Sequence, residues 1–239
     1  MTQSSPLRES PRTTLRRKRE RGTHERGAID AILDEGLVCH VGFADGESLF
    51  VQPTAYARIG DDLYFHGAPA NRMLRALAAG APACVTVTLL DGLVLARSAF
   101  HHSMNYRSVM LLGTAERVDD DEGKRAAMSA LLDHVAAGRS TDTRPPSAQE
   151  LRATLVVRFP IDEGSAKVRQ GGPIEEPEDL GLPVWAGQIP LEMVAGAAIP
   201  DDGLAPGVEP PAYVRGYPSR RRSAAGGNGD APVSPTAGS

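Results

Sequence analysis

The chain contains few cysteines, few aromatic residues and no long uncharged apolar run. Its 239 residues include two cysteines, one tryptophan and 23% charged residues. Without an apolar stretch of about 20 residues, the sequence predicts no transmembrane helix. Arg16 and Arg17 are followed by charged residues instead of an apolar segment, so we expect no signal peptide. Cys39 and Cys84 lie in apolar, strand-like runs, and we therefore expect reduced thiols and a soluble, cytoplasmic protein without membrane partners.

The usual motifs of acid/base, covalent and metal catalysis are also missing. The chain has no G-x-S-x-G nucleophile elbow, no HExxH motif and no CxxC pair. His101 and His102 are adjacent, and in an extended chain they would point to opposite sides, which disfavours a shared metal ion. We therefore infer that a bound cofactor supplies the reactivity, and we expect no metal site.

The basic residues concentrate at the two ends of the chain. Residues 1–27 hold eight Lys/Arg against three acidic residues, and residues 215–239 hold four Arg against one. The remainder has 14 basic and 26 acidic residues, and such an acidic body argues against nucleic-acid binding. Composition predicts disordered tails at residues 1–24 and 201–239 around one folded domain, residues 25–200. Contact of the tails with anionic surfaces is the alternative.

Alternation of apolar and polar residues predicts a barrel of short strands. The predicted strands are residues 38–43, 48–58, 63–66, 84–90, 93–100, 109–118 and 151–161. Asp91-Gly92 predicts a hairpin turn, and Pro53 indicates an edge strand or a bulge. Three helices are predicted: residues 28–35 with a left-handed cap at Gly36, a second that buries Met73, Leu74 and Leu77, and a third that buries Met128, Leu131, Leu132 and Val135. These elements predict a mainly β fold with α decoration, a compact β-barrel.

Three stretches offer groups that can bind a ligand. In residues 64–72 a predicted strand is followed by small residues and then by a helix. The N-terminus of this helix, together with Arg72, suits a phosphate. The alternative is an ordinary turn with a solvated arginine. Asn105, Tyr106 and Ser108 suit hydrogen bonding and stacking with a heteroaromatic ligand, or else form a polar turn. Trp185 lies in a proline-rich loop and packs on the barrel, on a partner subunit or on a ligand. Lys167 and Arg169 either face one anion or are surface charges.

Several motifs in order resemble the flavin-nucleotide-binding branch of the pyridoxamine 5′-phosphate oxidase-like superfamily, which includes the 5-nitroimidazole resistance proteins. The motifs are CHVGF at 39–43, VQPTAYAR at 51–58, LYFHGAPANRML at 63–74, CVTVTLLDGLVLARSAFHHSMNYRSV at 84–109, AKVRQG at 166–171 and VWAGQIPL at 184–191. The resemblance covers roughly residues 25–200. It implies an FMN-binding split β-barrel that forms a homodimer with two FMN molecules at the subunit interface.

The resemblance also implies roles for individual residues. Val51, Gln52, Pro53 and Thr54 would border the isoalloxazine ring, whereas His66, Ala70, Asn71 and Arg72 would surround the phosphate and ribityl chain. Ser108 falls at a polar contact to the flavin, and Trp185 resembles a tryptophan that reaches the flavin from the other subunit. The phosphate segment Ala70-Asn71-Arg72 carries one charge where the vitamin-processing oxidases carry two. Residues that bind pyridoxamine phosphate have no match, so we do not expect that substrate.

The resemblance therefore implies an FMN-dependent oxidoreductase that reduces or oxidises a small-molecule substrate through the flavin, with nitroreductase-like chemistry as one form. It also makes His66 a candidate proton donor, because the nitroimidazole-related proteins carry a histidine close to the flavin there; hydrogen bonding to the cofactor is its alternative role. A haem-binding split barrel and a non-catalytic flavin-binding protein are the rival hypotheses, and a deazaflavin is the rival cofactor. The absorption spectrum of the purified protein distinguishes flavin from haem.

Overall fold

A computed structural model describes residues 5–217, and these divide into two compact units, Met1–Glu192 and Met193–Ser239. In the first unit the strands are β1 (Gly22–Thr23), β2 (Val38–Asp45), β3 (Ser48–Ala55), β4 (Ala57–Ile59), β5 (Asp62–Gly67), β6 (Pro82–Leu95), β7 (Ser103–Thr114), β8 (Glu116–Val118), β9 (Leu155–Pro160), β10 (Glu163–Arg169) and β11 (Gly187–Pro190). Its helices are α1 (Arg26–Glu35), α2 (Arg72–Ala78), α3 (Asp121–Val135), α4 (Arg139–Asp142) and α5 (Ala148–Arg152). Short 3-10 turns occur at Arg19–Arg21, Ala99–His101 and Pro177–Asp179.

The strands form two sheets. The larger has the order β1-β10-β7-β6-β2-β3, with β11 also paired to β6, and the smaller has the order β4-β5-β9-β8. The pairings within both sheets are antiparallel. A mainly β fold with helical decoration is therefore confirmed. As Pro53 predicts, β3 lies at the edge of its sheet, where a missing backbone donor is tolerated.

The core lies between the two sheets and against α1 and α2. Its largest fully buried side chains include Ile29, Leu33, Tyr56, Leu63, Phe65, Met73, Leu74, Leu77, Leu111 and Phe159. Tyr56 donates a hydrogen bond of 2.6 Å from its hydroxyl to the carbonyl oxygen of Leu33, and burial raises the pKa of this phenol. Helix α2 thus buries the three residues predicted from its periodicity, and Gly80 follows it with a φ of +80°.

Gly36 ends α1, although not with the predicted left-handed cap. Its φ is −71°, an ordinary extended value. A Cβ atom at this position would lie 2.5 Å from Val87 Cγ1 and 2.9 Å from the Tyr56 hydroxyl oxygen. Glycine is required here because other elements approach the backbone closely, not because of a positive φ.

The predicted hairpin at Asp91-Gly92 is wrong. Strand β6 runs without a turn from Pro82 to Leu95, and its register against β7 shifts between Leu90 and Gly92, which marks a bulge. Gly92 lies against β11, where a Cβ atom would be 3.0 Å from the carbonyl oxygen of Ile189. The pairing with β11 holds the chain extended and overrides the local turn preference of Asp-Gly.

Helix α3 faces the core with a different side from the predicted one. Its buried residues are Lys124, Ala127 and Leu131, whereas Leu132 and Val135 are exposed. Its N-terminus is capped by Asp120, whose carboxylate accepts a hydrogen bond from Gly123 N at 2.6 Å. The cap is readable from the sequence, but the buried face is set by the elements on which the helix packs.

The N-terminal segment, expected from composition to be flexible through residue 24, lies against β10 over residues 5–24. Leu7 is only 6% exposed, and β1 pairs with β10. The carboxylate of Glu163 accepts hydrogen bonds from Ser10 at 2.5 Å and from Arg12 at 2.7 Å, and Arg8 lies 3.1 Å away. These long-range contacts, invisible to composition, order a polar segment.

The second unit has little regular structure in the part that is described. Residues 193–217 contain the short helix α6 (Ala212–Arg215) and a turn in which Leu204 N donates to the carbonyl oxygen of Asp201 at 3.0 Å. The predicted C-terminal tail lies partly here, and its residues 218–239 are outside the described residues. Among residues 5–217, no helix has the length and apolar character needed to span a membrane.

Candidate functional site

The edge strand β3 presents the predicted quartet Val51 to Thr54. Val51 is 71% exposed and pairs with Gly42, and Pro53 pairs with His40. Because strand side chains alternate, Val51 and Pro53 share one face while Gln52 and Thr54 share the other. The latter two are half-buried. The strand therefore offers an open apolar face and a polar face at one sheet edge.

Arg72 brings the start of α2 to this same strand. Its guanidinium lies 4.7 Å from the centre of the Phe50 ring, and its Nε is 3.6 Å from an Asp45 carboxylate oxygen. Asn71 caps the helix, since its Oδ1 accepts a hydrogen bond from Leu74 N at 3.1 Å. Ala70 is exposed beside it. The turn thus holds a cation beside β3 with a single, loosely placed acidic partner among the described residues.

His66 lies at the end of β5, immediately before this turn. It pairs with Val156 of β9, and its side chain is exposed at the sheet surface. Partial desolvation lowers the pKa of His66, so the imidazole is neutral at pH 7. A neutral imidazole has one N–H donor and one acceptor nitrogen, which suits either predicted role.

The residues predicted on the other side of the site lie on β7. Ser108 donates a hydrogen bond of 3.3 Å from its hydroxyl to the Lys167 carbonyl oxygen, and Tyr106 is half-buried opposite Leu90. Asn105 is buried, and its amide nitrogen donates to Gln188 Oε1 at 2.7 Å while its oxygen accepts from Arg169. Asn105 therefore joins two segments of the protein, and a flavin contact from it stays a prediction.

Arg169 does not share a surface anion with Lys167. Its guanidinium is buried and also donates to the carbonyl oxygens of Gly171 at 2.6 Å and Gly172 at 2.8 Å. Burial lowers the pKa of Arg169. These bonds fix the chain that leaves β10 and leads towards Trp185.

Sequence reasoning missed Arg107. Its guanidinium donates to Glu35 at 2.5 and 2.9 Å and to Asp91 at 2.8 and 2.9 Å. Hydrogen bonds to the two carboxylates raise the pKa of Arg107. The clamp ties the end of α1 and the bulge of β6 to β7 between Tyr106 and Ser108. No sequence signal indicates it, because Glu35 lies 72 residues away.

Trp185 is 65% exposed, so it does not pack into the barrel of its own chain. Its ring lies over Gly187, where a Cβ atom would be 2.9 Å from the ring. The absence of a Cβ atom at Gly187 therefore leaves room for the Trp185 ring in its solvent-exposed position. Phe100, Met104 and Leu90 are exposed as well.

One chain does not bring all the predicted residues together. The β3 edge with Arg72 and the β7 residues are separated by strands β2 and β6. Three inter-strand spacings amount to roughly 14 Å, which is too far for one side chain to contact the other group. Within residues 5–217 no group of three or more His, Cys, Asp or Glu side chains is arranged to hold a metal ion.

The architecture is that of a class, the flavin-binding split β-barrels. The chain belongs to the pyridoxamine 5′-phosphate oxidase family, whose model matches residues 25–168. It is similar to the flavocytochrome Anf3 from Azotobacter vinelandii, with 39% identity, a TM-score of 0.82, and coverage of 86% of this chain and 96% of that one. No match was found among curated proteins.

Two further solved structures are informative. The FAD and haem binding protein from Mycobacterium smegmatis is 38% identical, with a TM-score of 0.79 and coverage of 82% of this chain and 96% of that one. A putative 5-nitroimidazole antibiotic resistance protein from Bacteroides thetaiotaomicron is 27% identical, with a TM-score of 0.52 and coverage of 62% and 86%. The resemblance read from the motifs is thus confirmed at the level of family and fold.

Proposed function

We propose that the chain binds a flavin nucleotide at the interface of a homodimer and transfers electrons to or from a small-molecule substrate. The observation that carries this proposal is identity of 38–39% to two proteins whose names include a flavin or FAD, over more than four fifths of the chain. The free thiols of Cys39 and Cys84 support a cytoplasmic location.

The residues beside β3 fit a flavin nucleotide. Arg72 supplies a positive charge for a phosphate, and the Asp45 oxygen at 3.6 Å is not close enough to neutralise it fully. Val51 and Pro53 give an apolar edge for a flat ring, with Gln52 and Thr54 as polar groups on the opposite face. A bound flavin supplies reversible one- or two-electron transfer. His66 ends β5 six residues before Arg72, and its imidazole, neutral at pH 7, can hold or donate a proton.

A homodimer explains why the site is incomplete in one chain. The exposed Trp185 and Val51 are large apolar groups with no cover in their own subunit. In a dimer, the Trp185 loop and the β7 residues of one subunit would complete the β3 edge of the other. Light scattering should give the mass of two chains, and a cofactor-loaded monomer would contradict this arrangement.

A haem is a second candidate group, since both relatives above are named as a flavocytochrome or a haem-binding protein. His102 could hold the haem iron: its Nδ1 donates to the Ser98 carbonyl oxygen at 3.0 Å, and Nε2 of this exposed side chain would be the ring nitrogen left for a ligand bond. Exposed Phe100 and Met104 nearby suit an apolar macrocycle. His101 serves as control, since its Nε2 lies 3.7 Å from Glu176.

The absorption spectrum of the purified chain, with mass spectrometry of the released ligand, tests both proposals. Flavin absorption bands and released FMN or FAD are expected. A colourless protein that binds no added flavin would refute the first proposal. Release of a deazaflavin would show that the cofactor is a deazaflavin instead of a flavin. If haem is bound, His102→Ala should remove its main absorption band and His101→Ala should retain it. A band unaffected by His102→Ala would exclude His102 as ligand.

A further inference from the structure

A groove lined by four basic residues lies beside α2. Its volume is about 500 Å³, within the usual size range of small-molecule sites. Arg75 comes from α2, Arg117 from β8, Lys124 from α3 and Arg152 from α5. None of the residues that line it in the described part of the chain is acidic. This concentration of positive charge contrasts with the acidic composition of the body.

Lys124 is the residue that points most strongly to a ligand. It is only 8% exposed, and its ammonium group donates to the carbonyl oxygen of Leu151 at 3.2 Å. No ion pair joins it to a carboxylate within residues 5–217. A buried charge is costly unless it is paired, and an ammonium group has three donors, of which one is used here. The two remaining donors are therefore available to an anion in the groove that Lys124 lines.

Two of the neighbouring arginines are available to the same anion. The guanidinium groups of Arg75 and Arg152 make no hydrogen bond or ion pair with other described residues. Arg117 is oriented by Asp119, whose carboxylate oxygen lies 2.6 Å from Arg117 Nε. A guanidinium group donates two parallel hydrogen bonds to phosphate oxygens, so Arg75 and Arg152 beside a buried lysine favour a phosphate over a single carboxylate.

Part of the groove wall is apolar. It is formed by Pro69, by Ala78 of α2 and by Ala79, which follows this helix, and their short side chains leave room for a planar ring. We propose that this groove binds the phosphates of an adenylate-type nucleotide, with the base against the alanine and proline wall. The ligand has two sources: a free adenine nucleotide, or the adenylate half of FAD.

The FAD source rests on the proposed function and follows from the geometry of α2. Arg72 and Arg75 are three residues apart on this helix, a rise of about 4.5 Å. A dinucleotide whose flavin phosphate lies at Arg72 would therefore direct its second phosphate towards Arg75 and the groove. FMN ends at the first phosphate and would not reach Lys124 or Arg152.

The test uses the full-length chain as purified. Calorimetry measures ADP binding, and fluorescence measures exchange against added FMN and added FAD. The variants are Arg75→Gln, Arg152→Gln and the double variant, with Arg125→Gln as matched control. Arg125 lies on the exposed side of α3, 3.6 Å from Asp121, and its substitution removes the same charge outside the groove.

We expect each groove substitution to weaken ADP binding about tenfold and the double variant about 100-fold, whereas Arg125→Gln changes it less than about twofold. If FAD weakens in parallel and FMN does not, the ligand is the adenylate half of FAD. If only ADP weakens, it is a free nucleotide.

Two results would overturn the proposal: equal ADP affinity in the wild type and the double variant, or no ADP binding together with equal FAD affinity in both. A third result separates the two proposals. If the wild type binds neither FMN nor FAD, and the double variant loses ADP binding, the flavin proposal is contradicted and the proposal of a nucleotide groove stands.

Discussion

Replacement of Arg72 by alanine gives the most direct test of the flavin-phosphate position. Arg72 is the only formal cation in the segment 66–72, and it is held beside β3 by the Phe50 ring. If it contacts the phosphate of FMN, its loss should weaken FMN binding. Riboflavin lacks the phosphate and should bind the wild type and the variant equally.

The size of this effect follows from the exposure of the side chain. A charge-assisted hydrogen bond contributes about 1.5–3 kcal/mol. Because the Arg72 side chain is 60% exposed and Asp45 lies nearby, solvent and this acid weaken the interaction, and the lower end applies. A loss of about 1.5 kcal/mol corresponds to roughly tenfold weaker FMN binding. The exposed cation–π contact contributes about 0.5–1 kcal/mol, so the protein should still fold.

Flavin fluorescence quenching measures both affinities, and urea unfolding checks that the variant is folded. Arg75→Ala is the matched control, since it removes the same charge one turn further along α2 and should leave FMN affinity unchanged. Asp45→Asn should strengthen FMN binding modestly by removing the competing carboxylate. Unchanged FMN affinity in Arg72→Ala, or equal weakening of FMN and riboflavin, would refute the assignment of Arg72 to the phosphate.

Three further predictions concern the interface and the N-terminal segment. Trp185→Ala should weaken flavin binding and dimerisation more than folding, because the ring is exposed in its own subunit; equal losses in fluorescence titration and thermal unfolding would make it a packing residue. Deletion of residues 1–21 should lower the free energy of unfolding, measured in urea, by about 1.5–3 kcal/mol through the lost burial of Leu7, and an unchanged value would show that the segment does not pack. Hydrogen bonds from Arg12 and Ser10 lower the pKa of Glu163 from 4.5 to about 2, so its stabilisation is complete above pH 4.5 and disappears as the pH falls towards 2. The stability difference between wild type and Glu163→Gln should therefore shrink over that pH range, and a difference independent of pH would contradict this linkage.

Several features of the fold follow directly from local sequence. The buried face of α2 follows from the spacing of Met73, Leu74 and Leu77, and the edge position of β3 follows from Pro53. These predictions succeed because a helical repeat and a missing backbone donor act within a few residues. The family, too, is readable from the order of the motifs, and the matched residues 25–168 contain most of them.

Other features depend on partners that lie far away in the chain. Asp91-Gly92 has the composition of a turn, yet β11 and Arg107 hold it in a continuous strand. The prediction for α3 placed Leu132 and Val135 in the core, but packing turned Lys124 inwards instead. In each case the local preference amounts to about 1 kcal/mol or less, and the tertiary contacts outweigh it.

The sequence by itself determined the periodicity of the strands and helices, the absence of the usual catalytic motifs and the family to which the chain belongs. Only the tertiary structure placed Arg72 beside β3, separated the β7 residues from that edge, ordered residues 5–24 through Glu163 and gathered the four basic residues of the groove. The physical reason is range. Periodicity and capping are interactions between near neighbours, whereas a binding site is made of side chains that come together only when distant strands pair and pack.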